Sequence, residues 1–348
     1  MLKTKFSSYC LKGIPQGCKY CVKGKKLVVF ITGICNRNCW YCSLSEKRKN
    51  KDKIWINERE CKSIKEMLQE AKESRATSAG ITGGDPFLCF NRTLKFAKAL
   101  KNTFKKFHIH IYLPTKFLTK KKLKRISKYV DEVRFHPEFL CKKLSEKEIE
   151  GDIEKIKLAS LFWKKQNIGI ELPMLPDKKQ EIFNFILKIQ KYIGFVNLNE
   201  LEISDTNFKF ITRKYKLKEG GYVVAGSKEA GLWILKRLKK EKLKTKLKIH
   251  LCTAKLKNNF QFKERLKRHK ILPFGSRTED GTVVYFITDI KNFNKLKKEK
   301  LKFFIDKKKN RIILSERAAK KLLSLGLKVE RVEEFPTYDR MEVELEKL

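Results

Sequence analysis

The sequence of 348 residues predicts an α/β fold whose central strands are parallel. Six apolar runs of strand length alternate with amphipathic stretches of helical period, which is the pattern of consecutive β/α units with right-handed crossovers. A short cysteine-bearing segment precedes the first run, and shorter strands and helices follow the last. The candidate strands are 27–33, 78–83, 107–113, 130–136, 168–174 and 196–204. The candidate helices lie near 57–75, 92–105, 117–128, 145–164 and 178–193.

The same patterns divide the chain into four segments. Residues 1–25 form an N-terminal cysteine knuckle, and residues 26–210 contain the six β/α units. Residues 211–275 contain a further β-α-β unit, whose last strand is 246–252, and then a basic helix. Residues 276–348 alternate short strands with one helix, which predicts a small C-terminal α+β domain.

Length, cysteine content and charge limit the class of protein. No apolar run approaches the length of a membrane span and the N-terminus has no signal-peptide core, so we expect a cytoplasmic protein with no membrane partner. Ten cysteines at short spacings in such a chain favour metal binding over disulfides. The formal net charge of +43 predicts a polyanionic partner, most simply a nucleic acid.

A loop with three cysteines follows the first apolar run. Cys35, Cys39 and Cys42 are spaced C-x3-C-x2-C, with an aromatic residue just before the last cysteine. Three thiolates on one tight loop can bind three irons of a [4Fe-4S] cluster and leave the fourth iron without a protein ligand. The spacing alone would also suit a zinc knuckle, so the motif needs support from its surroundings.

That support comes from a second motif directly after the second apolar run. The motif consists of Gly83, Gly84, Asp85 and Pro86. By itself such a sequence is usually a turn. Together, the two motifs at this distance resemble the radical S-adenosylmethionine (SAM) superfamily, in which a GGEP motif stands at this place. Aspartate replaces glutamate here, which shortens the reach of the acidic side chain.

The resemblance implies both a fold and a chemistry. The fold is an open, partial (β/α)6 TIM barrel, and the cofactors are a [4Fe-4S] cluster and SAM. In the superfamily, the amino and carboxylate groups of SAM chelate the open iron, and the reduced cluster cleaves SAM to a 5′-deoxyadenosyl radical that abstracts a hydrogen atom from the substrate. The chain also resembles archaeal iron–sulfur proteins that are related to pyruvate formate-lyase activating enzyme.

Alternation along the strands indicates which side chains face the interior, because the apolar face of each strand should meet the outer helices. In strand 107–113 the interior side chains are His108, His110 and Tyr112, which are the candidate catalytic residues. Strand histidines are often hydrogen-bonded core residues instead.

The resemblance also implies cofactor-binding roles for several residues. Asp85 would hold the amino group of SAM together with the Gly83-Gly84 turn, and Tyr41 would frame the adenine. Arg134 is expected to meet the SAM carboxylate, because an unpaired buried arginine is costly. Glu171 is expected to bind the ribose hydroxyls. Further polar candidates on the last strand are Glu202 and Ser204.

A second metal site is predicted from the remaining clustered cysteines. Cys10, Cys18 and Cys21 lie in a polar, turn-rich segment, and Cys252 ends the strand 246–252. His250 is the reserve candidate for the fourth ligand. The sequence leaves zinc and a second iron–sulfur cluster open, and free structural cysteines are the alternative. The other cysteines, Cys61, Cys89 and Cys141, are expected in the core.

The substrate is the least defined feature. Lysines crowd the segments 120–125, 236–248, 261–270 and 295–302, which favours modification of tRNA or rRNA, although such runs are often just solvated faces. The alternatives are an activase that forms a radical on a partner protein and an enzyme acting on a small molecule. In each case an electron donor such as ferredoxin or flavodoxin is expected.

Overall fold

The computed structural model describes residues 1–241 and 246–348, which form two compact units. The first unit comprises Met1–Lys72 and Ala76–Phe262, and the second comprises Glu73–Arg75 and Lys263–Leu348. Of the predicted lysine segment 236–248, residues 242–245 lie outside the described residues. In the part of the chain that the structure describes, no helix has the length and apolarity needed to cross a bilayer.

The first unit is built on one long sheet. Its strands are β1 (Leu2–Lys3), β2 (Tyr9–Leu11), β3 (Lys26–Phe30), β4 (Ile54–Ile56), β5 (Arg59–Cys61), β6 (Ser78–Thr82), β7 (His108–Pro114), β8 (Glu132–His136), β9 (Ile168–Met174), β10 (Phe195–Glu200) and β11 (Lys248–Cys252). Its helices are α1 (Gln16–Cys21), α2 (Ile64–Glu73), α3 (Phe90–Thr103), α4 (Lys120–Ile126), α5 (Glu146–Lys157), α6 (Lys179–Ile189), α7 (Phe208–Lys214), α8 (Ser227–Lys240) and α9 (Ala254–Leu256).

The order of the strands confirms the predicted partial barrel. The sheet has the order β1-β2-β11-β10-β9-β8-β7-β6-β3-β4-β5. The strands from β11 to β3 in this order are all parallel, so the predicted six are joined by β11 as a seventh. An antiparallel hairpin lies at each end of the parallel region. Among the described residues the sheet ends at β1 and β5 and does not close.

One predicted helix is wrong at its start. The segment 57–75 was expected to be helical throughout, but the β4–β5 hairpin continues through Cys61 and α2 begins at Ile64. The hairpin turns at Asn57, whose φ is 52°, a left-handed conformation that asparagine adopts more readily than most residues. Asn57 also accepts a hydrogen bond from the Val28 amide at 3.0 Å, which ties the hairpin to β3.

The strands alternate between an apolar outer face and a polar inner face, as expected for half-buried barrel strands. In β7, Ile109, Ile111 and Leu113 are fully buried in the large hydrophobic core. The intervening side chains of His110 and Tyr112 line an interior cavity. The fold thus brings the polar residues of successive strands into one enclosed space.

The second unit is an α+β structure, as the sequence predicts. Its strands are β12 (Ser276–Arg277), β13 (Val283–Asp289), β14 (Phe303–Asp306), β15 (Arg311–Leu314), β16 (Glu330–Glu334) and β17 (Glu342–Lys347), and its helices are α10 (Lys263–Arg268), α11 (Phe293–Lys298) and α12 (Glu316–Ser324). The sheet pairs are all antiparallel. Arg311 of β15 bridges Asp306 at 3.1 Å and Glu334 at 2.7 Å.

A matched pair of glycine substitutions tests the packing of the barrel interior. In β9, a Cβ at Gly169 would lie 2.2 Å from the buried ring of Phe195 on β10. Gly169→Ala should therefore lower the free energy of unfolding by about 1–3 kcal/mol through overpacking. In α5, nothing lies within 4 Å of a Cβ placed at Gly151, so Gly151→Ala should raise the free energy of unfolding by about 0.5–1 kcal/mol.

Thermal and denaturant unfolding of the two variants beside the unmodified chain provide the measurement. Equal effects of the two substitutions would contradict the close approach of β9 and β10.

Candidate active site

The interior cavity has a volume of about 560 Å³ and receives residues from all seven parallel strands or the loops that follow them. Cys35, Cys39 and Cys42 line it from the loop after β3, and Gly83 and Gly84 line it from the turn after β6. This is the position expected for a site in an α/β barrel, where the loops at the carboxyl ends of the strands converge.

The cysteine loop is held in place by its own backbone and by Arg37. The Arg37 guanidinium donates hydrogen bonds to the His136 carbonyl at the end of β8 and to Thr115 Oγ1 at 2.6 Å, just after β7. At the start of the loop, the Gly33 amide donates to Lys51 O at 2.8 Å. A Cβ at Gly33 would lie 1.6 Å from Arg48 O, so the loop path requires glycine there.

The glycine turn is bonded directly to the chain that enters the cysteine loop. The Gly84 amide donates to Thr32 O at 2.8 Å, and the Asp85 amide donates to Ile34 O at 2.9 Å. A Cβ at Gly84 would lie 2.3 Å from Ile34 O and 2.8 Å from Cys35 Cβ. The two sequence motifs therefore form one continuous piece of structure, and only glycine permits this approach at residue 84.

Asp85 and Pro86 are not among the residues that line the cavity, and the expected contact of Asp85 with SAM stays a prediction. The Asp85 carboxylate is buried and accepts a hydrogen bond from the Phe87 amide at 2.8 Å. Burial raises the pKa of this carboxyl. The shorter side chain of aspartate thus caps its own turn, while Gly83 and Gly84 provide the surface that faces the cavity.

Tyr41 belongs to a group of reactive side chains beside the cysteine loop. Its hydroxyl lies 2.9 Å from His136 Nε2 and 3.1 Å from Cys141 Sγ. His136 Nδ1 donates to the Glu171 carbonyl at 3.0 Å, so Nε2 accepts from the tyrosine. Cys141 was expected in the core, but its sulfur lies 2.7 Å from Cys39 Sγ. Hydrogen bonding within the thiol pair lowers the pKa of Cys141 and raises that of Cys39.

Arg134 is paired with two glutamates within the protein, and its expected contact with the SAM carboxylate stays a prediction. Its guanidinium lies 2.5 Å from Glu132 Oε1 and 2.6 Å from Glu171 Oε2, and only 2% of its side chain is exposed. Glu132 also accepts from the Gly17 amide of α1 at 3.0 Å. For Glu171, burial favours a higher pKa, but the charge of Arg134 and a hydrogen bond from Asn199 outweigh burial and lower it.

The predicted catalytic residues are only partly brought together. His110 and Tyr112 line the cavity, 3.2 Å apart between Nε2 and the hydroxyl, and burial lowers the pKa of His110 well below its ordinary value. His110 Nδ1 has no hydrogen-bond partner among the described residues. His108 does not line the cavity and instead stacks on Tyr20 of α1, with ring centroids 5.1 Å apart.

The last predicted strand is shorter than expected, which changes its inward residues. Because β10 ends at Glu200, its inner face consists of Asn197 and Asn199. Glu202 does reach the cavity wall, where it pairs with Lys257 at 2.6 Å. Ser204 is not part of the wall. The alternation from the buried Val196 and Leu198 could have identified the two asparagines from sequence.

Three of the four cysteines predicted for the second metal site line the same cavity. Cys18 and Cys21 on α1 line it, and so does Cys252 at the end of β11. Cys10 is buried on β2, directly opposite His250 of β11. Burial raises the pKa of Cys18 to about 12 and also raises that of Cys252.

The buried ion pairs of Arg134 lead to a prediction about the stability of the fold. Arg134→Met leaves two buried carboxylates without their cation, so it should lower the free energy of unfolding by about 3–5 kcal/mol at pH 7. Because the folded pKa of Glu171 is lowered, its ion pair contributes stability above the unfolded pKa of about 4.3 and loses it as the pH falls. In the variant, burial without the charge of Arg134 favours a higher pKa for Glu171, so Glu171 takes up a proton as the pH falls and the deficit should shrink toward pH 4.

Denaturant unfolding from pH 7 to pH 4 measures this effect. Glu132→Gln and Glu171→Gln, added to Arg134→Met, should restore most of the loss. Arg331→Met is the matched control, because Arg331 is partly exposed and pairs with Glu344 at 3.4 Å on the sheet surface, where such a pair contributes about 0–1 kcal/mol. A deficit that does not change with pH would contradict the assignment.

Comparison with known proteins agrees with the site. The family model described as the radical SAM superfamily matches residues 29–186. The chain is 38% identical over 297 residues to a Methanocaldococcus jannaschii protein named "Putative glycyl-radical enzyme activating enzyme MJ0021". The aligned region covers 82% of this chain and 76% of the relative. A solved structure of the radical SAM methyltransferase TsrM from Kitasatospora setae, with cobalamin and a [4Fe-4S] cluster bound, has a TM-score of 0.36 at 11% identity.

That alignment covers 58% of this chain and 40% of the methyltransferase, and at this TM-score it adds nothing to the assignment. The family model and the archaeal relative are sufficient, and both agree with the joined cysteine loop and glycine turn. The chain is a radical SAM enzyme and belongs to the radical SAM superfamily.

Proposed function

We propose that the protein is an activating enzyme that removes a hydrogen atom from the α-carbon of a glycine in a partner protein. The observation that carries this proposal is the 38% identity to the archaeal relative, whose printed name gives this class of activity. The relationship spans most of both chains, so it includes more than the cofactor-binding motifs.

The residues around the cavity fit the cofactors of the superfamily. The cluster ligands are Cys35, Cys39 and Cys42, which line the cavity on a loop that Arg37 anchors. Gly83 and Gly84 bring backbone to the same wall, where a side chain at residue 84 would collide with the cysteine loop. When bound, the cluster and SAM supply a carbon-centred radical that abstracts a hydrogen atom.

The protein's own groups then define the space for the substrate. His110, Tyr112 and Asn199 face the cavity, and burial keeps the His110 imidazole neutral near pH 7 by lowering its pKa. A neutral imidazole and a phenol can donate hydrogen bonds to, and accept them from, the amide groups of an inserted peptide. Burial also raises the pKa of Tyr112, which keeps the phenol protonated.

A surface beside the cysteine loop is suited to binding a partner protein. The residues just before helix α7 contact this loop. Asn207 donates a hydrogen bond to Tyr41 O at 3.2 Å, and Thr206 donates one to Cys42 O at 3.3 Å. Two large apolar side chains of α7, Phe208 and Phe210, are exposed. Exposed aromatic residues beside a site favour contact with another macromolecule.

The charge of the chain is consistent with this partner. A net charge of +43 attracts an acidic protein as well as RNA, since long-range attraction depends on the sign of the partner's charge. Modification of tRNA or rRNA, expected from the lysine runs, is not supported by the comparisons. A low-potential electron donor such as ferredoxin or flavodoxin stays a prediction.

The source of the transferred hydrogen tests the proposal. In glycyl activation, SAM and one electron from the reductant give methionine and a 5′-deoxyadenosyl radical. This radical takes one hydrogen atom from glycine and becomes 5′-deoxyadenosine. Protein from source cells grown anaerobically on glycine deuterated at its α-carbon should therefore give 5′-deoxyadenosine that is one mass unit heavier. Electron paramagnetic resonance should show an organic radical in the partner protein at the same time. Mass spectrometry of the nucleoside provides the measurement.

A parallel experiment uses RNA from cells grown in heavy water as the substrate. If 5′-deoxyadenosine receives deuterium from this RNA and not from the glycine-labelled protein, the proposal is overturned in favour of RNA modification. The double variant Phe208→Ala and Phe210→Ala should transfer less deuterium at limiting partner concentration, yet cleave SAM at an unchanged rate without the partner. The control is Leu161→Ala, since Leu161 is also an exposed apolar side chain, directly after α5 and remote in sequence from the cysteine loop.

A further inference from the structure

We propose that Cys10, Cys18, Cys21 and Cys252 bind a second [4Fe-4S] cluster in the same cavity. This site is separate from the three-cysteine loop and does not depend on the identity of the substrate. The strand before the first loop, β3, and the strand that ends at Cys252, β11, are the two outermost parallel strands of the sheet, with five strands between them.

The first pair of ligands lies on neighbouring antiparallel strands. Cys10 of β2 is directly opposite His250 of β11, and directly paired residues project to the same face of a sheet. His250 points to the interior, because its Nδ1 lies 2.6 Å from Asn197 Oδ1 in the cavity wall. Cys252 is two residues beyond His250 and shares its face. Cys10 and Cys252 are therefore diagonal neighbours across the β2–β11 pair, on the same face of the sheet.

The second pair lies on helix α1, where Cys18 and Cys21 are three residues apart and so share one helix face. Cys18 Sγ donates a hydrogen bond to Asn197 Oδ1 at 3.5 Å. The same oxygen is the partner of His250 Nδ1. Asn197 therefore links the cysteine face of α1 to the face of β11 that carries Cys252.

The thiols are better ligands here than the histidine. Both ring nitrogens of His250 have partners, since Nδ1 meets Asn197 and Nε2 lies 3.1 Å from Ser8 Oγ. The imidazole thus positions Asn197 and Ser8, and the four cysteines remain as a complete ligand set for a cubane cluster.

Cations near the thiols match the negative charge of a cluster with four thiolates. Arg134 Nη2 lies 3.4 Å from Cys18 Sγ. Lys26 forms a side-chain hydrogen bond with Cys21. Lys257 lines the cavity with Cys252. Arg134 and Lys257 also pair with the carboxylates of Glu132, Glu171 and Glu202, so they share their charge between these carboxylates and the thiols.

The spacing of the thiols favours a cluster over a single zinc ion. Thiolates on one Zn²⁺ are at most about 4.6 Å apart, because each Zn–S bond is about 2.3 Å. Within the described ranges, no three of these cysteines, with or without His250, bring their ligand atoms within 4.8 Å of one another. A cubane binds its four thiolates on four different irons, so it does not require them within this distance.

Iron and sulfide analysis of the full chain tests the proposal after anaerobic reconstitution. The unmodified chain should bind about eight irons and eight sulfides. A triple variant with Cys35→Ala, Cys39→Ala and Cys42→Ala should keep about four of each and the absorption and reduced-state resonance of a [4Fe-4S] cluster. This variant leaves the proposed site untouched, so its result does not depend on how well the site tolerates mutation. A triple variant without iron, or with zinc in place of iron, would overturn the proposal.

The converse variant assigns the ligands. Replacement of Cys10, Cys18, Cys21 and Cys252 by alanine should lower the iron content to about four and leave the cluster of the first loop in place. Cys61→Ala is the matched control, because Cys61 is buried on β5 and its thiol donates to Ser63 O at 3.1 Å. Loss of iron in the control equal to that in the quadruple variant would contradict the assignment.

Discussion

Two backbone hydrogen bonds connect the cysteine loop to the glycine turn, and the geometry of the candidate site depends on them. The Gly84 amide donates to Thr32 O at 2.8 Å and the Asp85 amide donates to Ile34 O at 2.9 Å, directly after the parallel pairing of β3 with β6 ends. The register of these strands pairs Phe30 with Thr82, so both chains leave the sheet side by side. The motif residues 83–86 meet the cysteine loop for this reason, although about 40 residues separate them in sequence.

A second constraint lies deeper in the barrel. Arg134, Glu132 and Glu171 form a buried charged centre that also holds α1 through the Gly17 amide. Buried ion pairs of this kind are weak contributors to net stability, because desolvation offsets much of the attraction. We infer that the centre fixes the position of α1 across the barrel interior. A Cβ at Gly17 would lie 2.7 Å from both Arg134 and His110, so the helix can approach only with glycine at this position.

The strand order and the cysteine loop could be predicted from sequence, because both are encoded locally. Apolar runs of strand length and a spaced set of cysteines keep their meaning without knowledge of their neighbours. The partners of buried side chains could not be predicted in this way. Glu171 bonds Arg134 from a neighbouring strand 37 residues away, whereas Glu132 is only two residues before Arg134 on β8 and could have been identified as its partner. The contact of Cys141 with Cys39 spans 102 residues, so the sequence predicts only a core position for Cys141. Asn197 and Asn199 were missed because the end of β10 was placed four residues too late.

The central claim is that the cysteine loop and the glycine turn together form a SAM-cleaving site. Its most direct test uses the variant in which only Cys10, Cys18, Cys21 and Cys252 are replaced by alanine, so that only the first loop carries iron. After anaerobic reconstitution and reduction, this variant should convert SAM to 5′-deoxyadenosine and methionine in equal amounts. Further replacement of Cys35, Cys39 or Cys42 by alanine should abolish both products. Cleavage that persists without any one of these three cysteines would contradict the account.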